Sequence, residues 1–174
     1  MKLHLGCGEN HFEGWINVDI DSPIADRHTD LRKPLPYYDH SIDFIFNEHF
    51  IEHLKFDECL AFLSECFRVL VKDGILRVST PDLRNLVNMY LAGNITEWAD
   101  IGYLPESPCI LMNDGVHRWG HRFMYDLPEL NGMLKKAGFN QIKSVGWRES
   151  DYPELCNLEC RPFHGELIIE ARKE

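Results

Sequence analysis

The residues best suited to chemistry stand at intervals along the chain. Gly6-Cys7-Gly8 follows the apolar run Leu3-His4-Leu5, and Asp19-Ile20 closes a second short run, Ile16-Asn17-Val18. A strand entering a glycine turn, then a second strand ending on an acid, suits a nucleoside. Main-chain N–H groups face one end of such a ligand, and Asp19 accepts from its ribose hydroxyls. A lone Gly-x-Gly is equally the mark of a plain turn, so the reading depends on the residues downstream. There stand Asp30-Leu31, Asn47-Glu48-His49 and Thr80-Pro81-Asp82. His117 and His121, four apart beside Arg118, Trp119 and Arg122, are equipped to touch an acidic or sugar-like molecule.

Such residues need strand ends to hold them. Ile42–Phe46, β-branched and aromatic, reads as a strand, and Thr29–Leu31 as a short edge strand. Leu60, Leu63, Phe67 and Leu70 recur at helical spacing, predicting a helix from about Asp57, its N-cap, to Lys72, with Gly74 just beyond. Ile75–Ser79 is the next strand, and Asp82–Leu91 a helix closed by Gly93. Asp126-Leu127-Pro128-Glu129 opens another helix that Gly138 ends, and strands follow around 141–147 and 166–171. Residues 95–122 lack periodicity and are expected to form a binding loop or lid. This alternation predicts one α/β domain over residues 1–174 with a largely parallel sheet. In such sheets ligands sit at the carboxyl ends of the strands, where Gly6–Gly8, Asp19, Asp30, Asn47–His49 and Thr80–Asp82 all fall.

Composition narrows the partners. With 28 acids against 18 bases and no basic cluster, no nucleic-acid partner is expected. No run approaches membrane-spanning length, so no membrane is expected either. Six cysteines lie in a helical pattern, a glycine turn and irregular stretches rather than in a pairing framework; they read as reduced, and the protein as cytoplasmic. Cys156, Cys160 and His164 have helical spacing, but Pro153 and Pro162 interrupt the segment and no second ligand pair accompanies them, so no metal is expected.

With these residues placed, the chain resembles the class I S-adenosylmethionine-dependent methyltransferases, close to small-molecule enzymes of the methyltransferase type 11 group. The resemblance rests on Leu-Gly-Cys-Gly (5–8), Asn-Val-Asp-Ile (17–20), Asp-Leu (30–31) and the stretch 35–45. Glu-His-Phe-Ile-Glu-His-Leu (48–54), the stretch 65–76 and Leu-Lys-Lys-Ala-Gly-Phe (134–139) complete it. It implies a Rossmann-like, mostly parallel seven-stranded sheet with an antiparallel last strand, and S-adenosylmethionine as cofactor. Gly6, Cys7 and Gly8 would lie against its methionyl part, and Asp19, followed by Ile20, would bind the ribose. Asp30 and Leu31 would flank the adenine, and Asn47 would border the methyl-transfer site. The third small residue of the family's glycine loop is Asn10 here. Only residues 9–14 separate Gly8 from Trp15, so the first crossover helix is expected to be shortened, and the family's N-terminal helical cap absent.

Methyl transfer is an in-line displacement, and a base is needed only when the acceptor must lose a proton. His49 is the candidate base. The Asn/Asp-Pro-Pro-aromatic signature of amine methyltransferases is replaced by Asn47-Glu48-His49-Phe50, which favours a hydroxyl or carboxylate of a small-molecule acceptor. The alternative is a cofactor-binding or non-catalytic module serving an assembly; a nicotinamide dehydrogenase would need glycine where His11 stands. Finally, Leu3, Leu5, Ile16, Val18 and Ile20 are apolar while little chain is left to cover them. That predicts a homodimer or partner protein on this face, with the long loop folding back as the competing explanation.

Overall fold

The computed structural model describes all residues, 1–174. Four strands open the chain: β1 (Lys2–Leu5), β2 (Ile16–Asp19), β3 (Arg27–His28) and β4 (Ile42–Glu48). Helix α1 (Phe56–Val69) leads into the long strand β5 (Leu70–Thr80), followed by helices α2 (Leu83–Ala92), α3 (Pro108–His117) and α4 (Leu127–Ala137). Strands β6 (Gln141–Ser144) and β7 (Leu167–Arg172) end the fold. The seven strands form one sheet in the order β3-β2-β1-β4-β5-β7-β6. Pairing is parallel from β3 through β5, and β7 runs antiparallel to both its neighbours, as the resemblance implied.

Several boundaries differ from expectation for local reasons. α1 stops at Val69, because Leu70 turns extended to pair with Ile42. Lys72 and Gly74 therefore belong to β5 rather than to a helix end. At its start, the Glu58 carboxylate accepts from the Lys55 N–H at 2.9 Å, so Lys55 and not Asp57 is the N-cap. The edge strand is Arg27–His28, just before Thr29–Leu31. Asp126 caps α4 by accepting from Glu129, Asp82 lies just outside α2 and caps it by accepting from Arg84, and Gly93 and Gly138 close those helices in left-handed geometry as expected. Residues 95–122 are not a bare loop: Ser107 caps α3, with Pro108 in its first turn, and short 3-10 turns flank it at 99–101 and 118–120.

Both faces of the sheet are covered by the chain itself. On one, α1 and α4 pack together over Leu3, Leu5, Val18, Ile45, Leu76, Val78 and Ile169. On the other, Phe12 and Trp15 from the β1–β2 connection join Leu155 and Leu158 from the β6–β7 connection over Phe46 and Ile75. No helix lies between β1 and β2, so the shortened crossover is real; its place is taken by two aromatic side chains and a C-terminal segment. Leu3, Leu5 and Val18 are fully buried within one chain, which removes the reason for a covering partner and leaves only Ile20 markedly exposed. Arg77 pins the C-terminal segment to this face. Wholly buried, it donates to Glu159 and Glu170 at 2.7 Å each and to the Glu149 carbonyl at 2.7 Å.

Candidate functional site

Two depressions open at the carboxyl ends of the strands. The smaller, about 310 Å³, is lined by Gly6, Asp19, Ile20, Asp30, Leu31 and Phe50, among others. It thus gathers five of the residues expected at the cofactor, Gly6, Asp19, Ile20, Asp30 and Leu31, which the sequence separates by up to 25 positions. Asp19 organises it: its carboxylate accepts from the N–H groups of Gly8 at 3.0 Å, Asp21 at 3.0 Å and Ser22 at 3.2 Å. Burial opposes charge on this carboxyl, but those N–H groups outweigh it and hold the group below its usual range. Asp30 is gripped by the Arg32 guanidinium through both oxygens, at 2.8 and 3.0 Å, which also keeps it ionised.

The two glycines of the turn do different work. Both have positive φ, +73° at Gly6 and +53° at Gly8. A Cβ on Gly6 would come within 2.7 Å of the Phe50 ring, whereas one on Gly8 would meet nothing within 4 Å. Gly6 therefore makes room for a protein side chain, and Gly8 leaves open space beside the turn. Of the residues expected at the cofactor, Cys7, Gly8 and Asn47 do not line the groove. Cys7 is buried under the turn, and Asn47 is fully buried in β4 with neither side-chain amide atom hydrogen-bonded.

The larger cavity, about 670 Å³, lies beside the first, and His53 lines both. Its walls come from the ends of β4 and β5, from α2, from the 95–122 segment and from residues 161–166. Trp98, Tyr103 and Trp119 form one aromatic cluster, with ring centroids 5.3–6.0 Å apart. The Arg118 guanidinium stands 5.1 Å from the Tyr103 ring and pairs with Asp114 at 2.9 Å. Arg161 enters from the other side, its main-chain N–H held by Glu48 at 3.2 Å. His164 meets Asp100 at 2.7 Å, joining the two flanks of the cavity.

His49 sits at the inner end with φ +49°, a left-handed conformation uncommon outside glycine. Its ring lies between two carboxylates, with Nδ1 3.4 Å from Glu52 and Nε2 3.7 Å from Glu166. Burial works against charge on the ring, but Glu166 and Glu52 outweigh it and raise its pKa to about 9. Of the residues singled out in the 95–122 stretch, His121, Arg118 and Trp119 line the cavity, joined there by Trp98, whereas His117 and Arg122 do not. Tyr103, Asn85, Arg161 and Glu166 also line it, but no spacing in the sequence marked them. Cys156, Cys160 and His164 form no common site: all six cysteines are free, and each of the three residues has its own partners.

Comparison with known proteins agrees with this arrangement. A methyltransferase domain model matches residues 3–78. The chain is 48% identical to a probable S-adenosylmethionine-dependent methyltransferase of Mycolicibacterium smegmatis over 98% of its own length and 62% of that protein's. A probable S-adenosylmethionine-dependent methyltransferase of Mycobacterium tuberculosis is 30% identical over 98% of this chain and 58% of its own length. The chain thus spans about three fifths of these relatives. Among solved structures, an S-adenosylmethionine-dependent methyltransferase from Archaeoglobus fulgidus superposes with a TM-score of 0.60 at 18% identity, covering 99% of this chain and 85% of that one. Another, from Mesorhizobium loti, gives 0.54 at 15% identity, covering 99% and 90%. No helix is long and apolar enough to cross a membrane. By its matched domain, its relatives and its sheet order, the chain is similar to the class I S-adenosylmethionine-dependent methyltransferases, whose fold it shares.

Proposed function

We propose that this chain transfers a methyl group from S-adenosylmethionine to an oxygen, hydroxyl or carboxylate, of a small molecule held in the larger cavity. The observation that carries this reading is the meeting of the two depressions at His53. A nucleoside-sized groove abuts a cavity lined by histidines, arginines and aromatic rings, so donor and acceptor can lie end to end. S-adenosylmethionine supplies the electrophilic methyl group. Asp19 holds the ribose with the lone pairs its three N–H contacts leave free, and Asp30 with Leu31 borders the adenine. The open face of Gly8 leaves room near the methionyl end.

Arg161, whose guanidinium pairs with no carboxylate, and the aromatic cluster favour an anionic or sugar-like acceptor. His49, expected as a base, is flanked by two carboxylates. That setting fits it to donate a hydrogen bond to the acceptor oxygen rather than to remove a proton. A carboxylate acceptor needs no base; a hydroxyl acceptor can give its proton to Glu166 or Asp82, the carboxylates of the cavity wall.

The Phe50 ring packed on Gly6 favours a second reading, a methyltransferase-like module without turnover, because it lies where the family's cofactor approaches the turn. One experiment separates the two. The purified chain is given methyl-labelled S-adenosylmethionine with panels of hydroxylated, carboxylated and amine metabolites, and S-adenosylhomocysteine binding is followed by calorimetry. Transfer to an oxygen acceptor is expected. Binding without transfer to any panel supports the module, and transfer confined to amines overturns the oxygen assignment.

A further inference from the structure

We propose that Glu52, His53 and His121 form a binding site for one divalent transition-metal ion at the junction of the two depressions. Their donor atoms all lie within 4.8 Å of one another. Glu52 is completely buried, and while its Oε2 accepts from the Thr80 hydroxyl at 3.0 Å, its Oε1 has no hydrogen bond. A buried carboxylate oxygen with no donor at hydrogen-bond distance is costly, and the His49 ring 3.4 Å away offsets its charge without satisfying it. Around that oxygen stand only imidazole nitrogens at charge-contact range, His49 Nδ1 at 3.4 Å and His53 Nε2 at 4.0 Å.

Both prospective histidine ligands are oriented by main chain. His121 Nδ1 is 2.8 Å from the Gly115 carbonyl, which only accepts; Nδ1 therefore carries the proton, and the lone pair is on Nε2. His53 turns Nδ1 toward the main chain of Gly120, where a Cβ would stand 3.6 Å away, and Nε2 toward Glu52. The chain itself is stitched at this point. The Glu52 carbonyl accepts from the Arg122 and Phe123 N–H groups at 2.7 and 3.2 Å, fixing His121 beside the 3-10 turn that carries Glu52 and His53. Tetrahedral ligands about 2.1 Å from an ion stand roughly 3.4 Å apart, so rotation of the partly exposed His53 ring closes the remaining gap.

Two imidazoles and one carboxylate suit Zn²⁺, Co²⁺, Fe²⁺ or Mn²⁺; the donor set is too rich in nitrogen for Ca²⁺ or Mg²⁺ and lacks the sulfur that favours Cu⁺. Because His53 and His121 line the larger cavity, the open coordination positions face the acceptor. Resting on the proposed methyl transfer to oxygen, the ion's further ligand is the acceptor's hydroxyl or carboxylate oxygen.

The test is Co²⁺ titration of the chelator-stripped chain without cofactor, read by visible absorption and calorimetry. One Co²⁺ per chain is expected, with a visible d–d band that Zn²⁺ displaces. His121→Ala and His53→Ala should each weaken binding by about tenfold or more, a loss of the size seen when even a supporting group is removed. His117→Ala, four residues from His121 but outside the cavity, should bind as the parent does. Circular dichroism is to check that each variant remains folded. No stoichiometric Co²⁺ binding, or binding unchanged in both folded variants, overturns the site. S-adenosylhomocysteine affinity, measured separately, reports on the cofactor groove alone, so failure of one reading is distinguishable from failure of the other.

Discussion

The two depressions are built by opposite means. The smaller is made at the ends of strands close in sequence, and one carboxylate, Asp19, ties three main-chain N–H groups into its wall. The larger is assembled from side chains on elements far apart, held by long-range pins: Arg77 to Glu159, Glu48 to residues 160 and 161, and His164 to Asp100. A wall of local backbone bonds tolerates change elsewhere in the molecule. A wall of distant pins fails when one pin is removed.

The largest effect should therefore come from Arg77. Arg77→Leu leaves Glu159 and Glu170, 1% and 5% exposed, without their counter-charge. Stripping one partner from a buried ion pair costs about 3–5 kcal/mol, a large share of a typical domain's stability. Urea unfolding should show that loss. If the contrast holds, replacing all three charged residues with apolar ones of similar volume should recover most of it, because no lone charge then remains. A loss under about 1 kcal/mol for Arg77→Leu would mean that the C-terminal wall is held by other contacts.

The second effect lies beneath the smaller groove. His4 is buried in β1 between the rings of Phe12 and Phe46, and burial lowers its pKa from 6.5 to about 4. The unfolded chain thus binds a proton between those pH values while the folded chain does not. Stability should fall as pH drops from 6.5 to 4, by roughly 3 kcal/mol in all, and this contribution should be flat above that window. His4→Phe keeps the stacking and removes the titration. The Asn17 oxygen it leaves still accepts from the Phe12 N–H at 2.9 Å, so the pH slope should flatten without a large offset. An equal slope in the variant would assign the dependence elsewhere.

How far the sequence could be read follows the same division. Gly6, Asp19, Ile20, Asp30 and Leu31 announce themselves because strand ends and turn glycines have local signatures, and all five line one groove. The sheet order came through the resemblance, and α2 and α4 through their caps. Helix α3 was hidden although Ser107 and Pro108 mark its start, because its buried residues are only Leu111 and Gly115, too few for a periodic stripe. Gly115 is itself buried because α3 approaches α2 closely: a Cβ there would meet Leu86 at 2.6 Å. Arg161, Tyr103 and Glu166 reach the cavity only through tertiary folding, so no spacing could reveal them. The supposedly bare sheet face was misjudged for the same reason. Leu3, Leu5 and Val18 lie under α1 and α4, and the opposite face is covered by Leu155 and Leu158, more than 130 residues from β2, in a segment whose prolines and irregular pattern offered no helix to place there.

The glycine pair offers a finer division within the local wall. Gly6→Ala forces a side chain into Phe50 at positive φ, which should cost about 1–3 kcal/mol in the manner of an overpacked site. Gly8→Ala carries only the conformational penalty, about 1 kcal/mol, since its Cβ meets nothing. The double variant Gly6→Ala, Phe50→Ala should then be less unstable than the sum of its parts, measured by thermal unfolding. Strict additivity would show that Phe50 is not what Gly6 accommodates.

The smallest effect is the most specific. Asp19→Asn keeps the size of the side chain and one acceptor oxygen but removes the charge, and two ribose hydroxyls would lose a charged acceptor. The expected change is about a tenfold weaker affinity for S-adenosylhomocysteine, roughly 1.4 kcal/mol. The Gly8, Asp21 and Ser22 N–H groups can be only partly satisfied by the amide, so some loss of stability accompanies it. Calorimetry well below the melting temperature separates the two, because binding is then measured on folded chain alone. The control is Asp30→Asn, whose oxygens are already committed to Arg32 and which should weaken binding less. If both variants bind equally, or if Asp19→Asn binds as the parent does, the ribose contact is not made by Asp19. The local wall would then be a structural turn rather than a ligand-binding one.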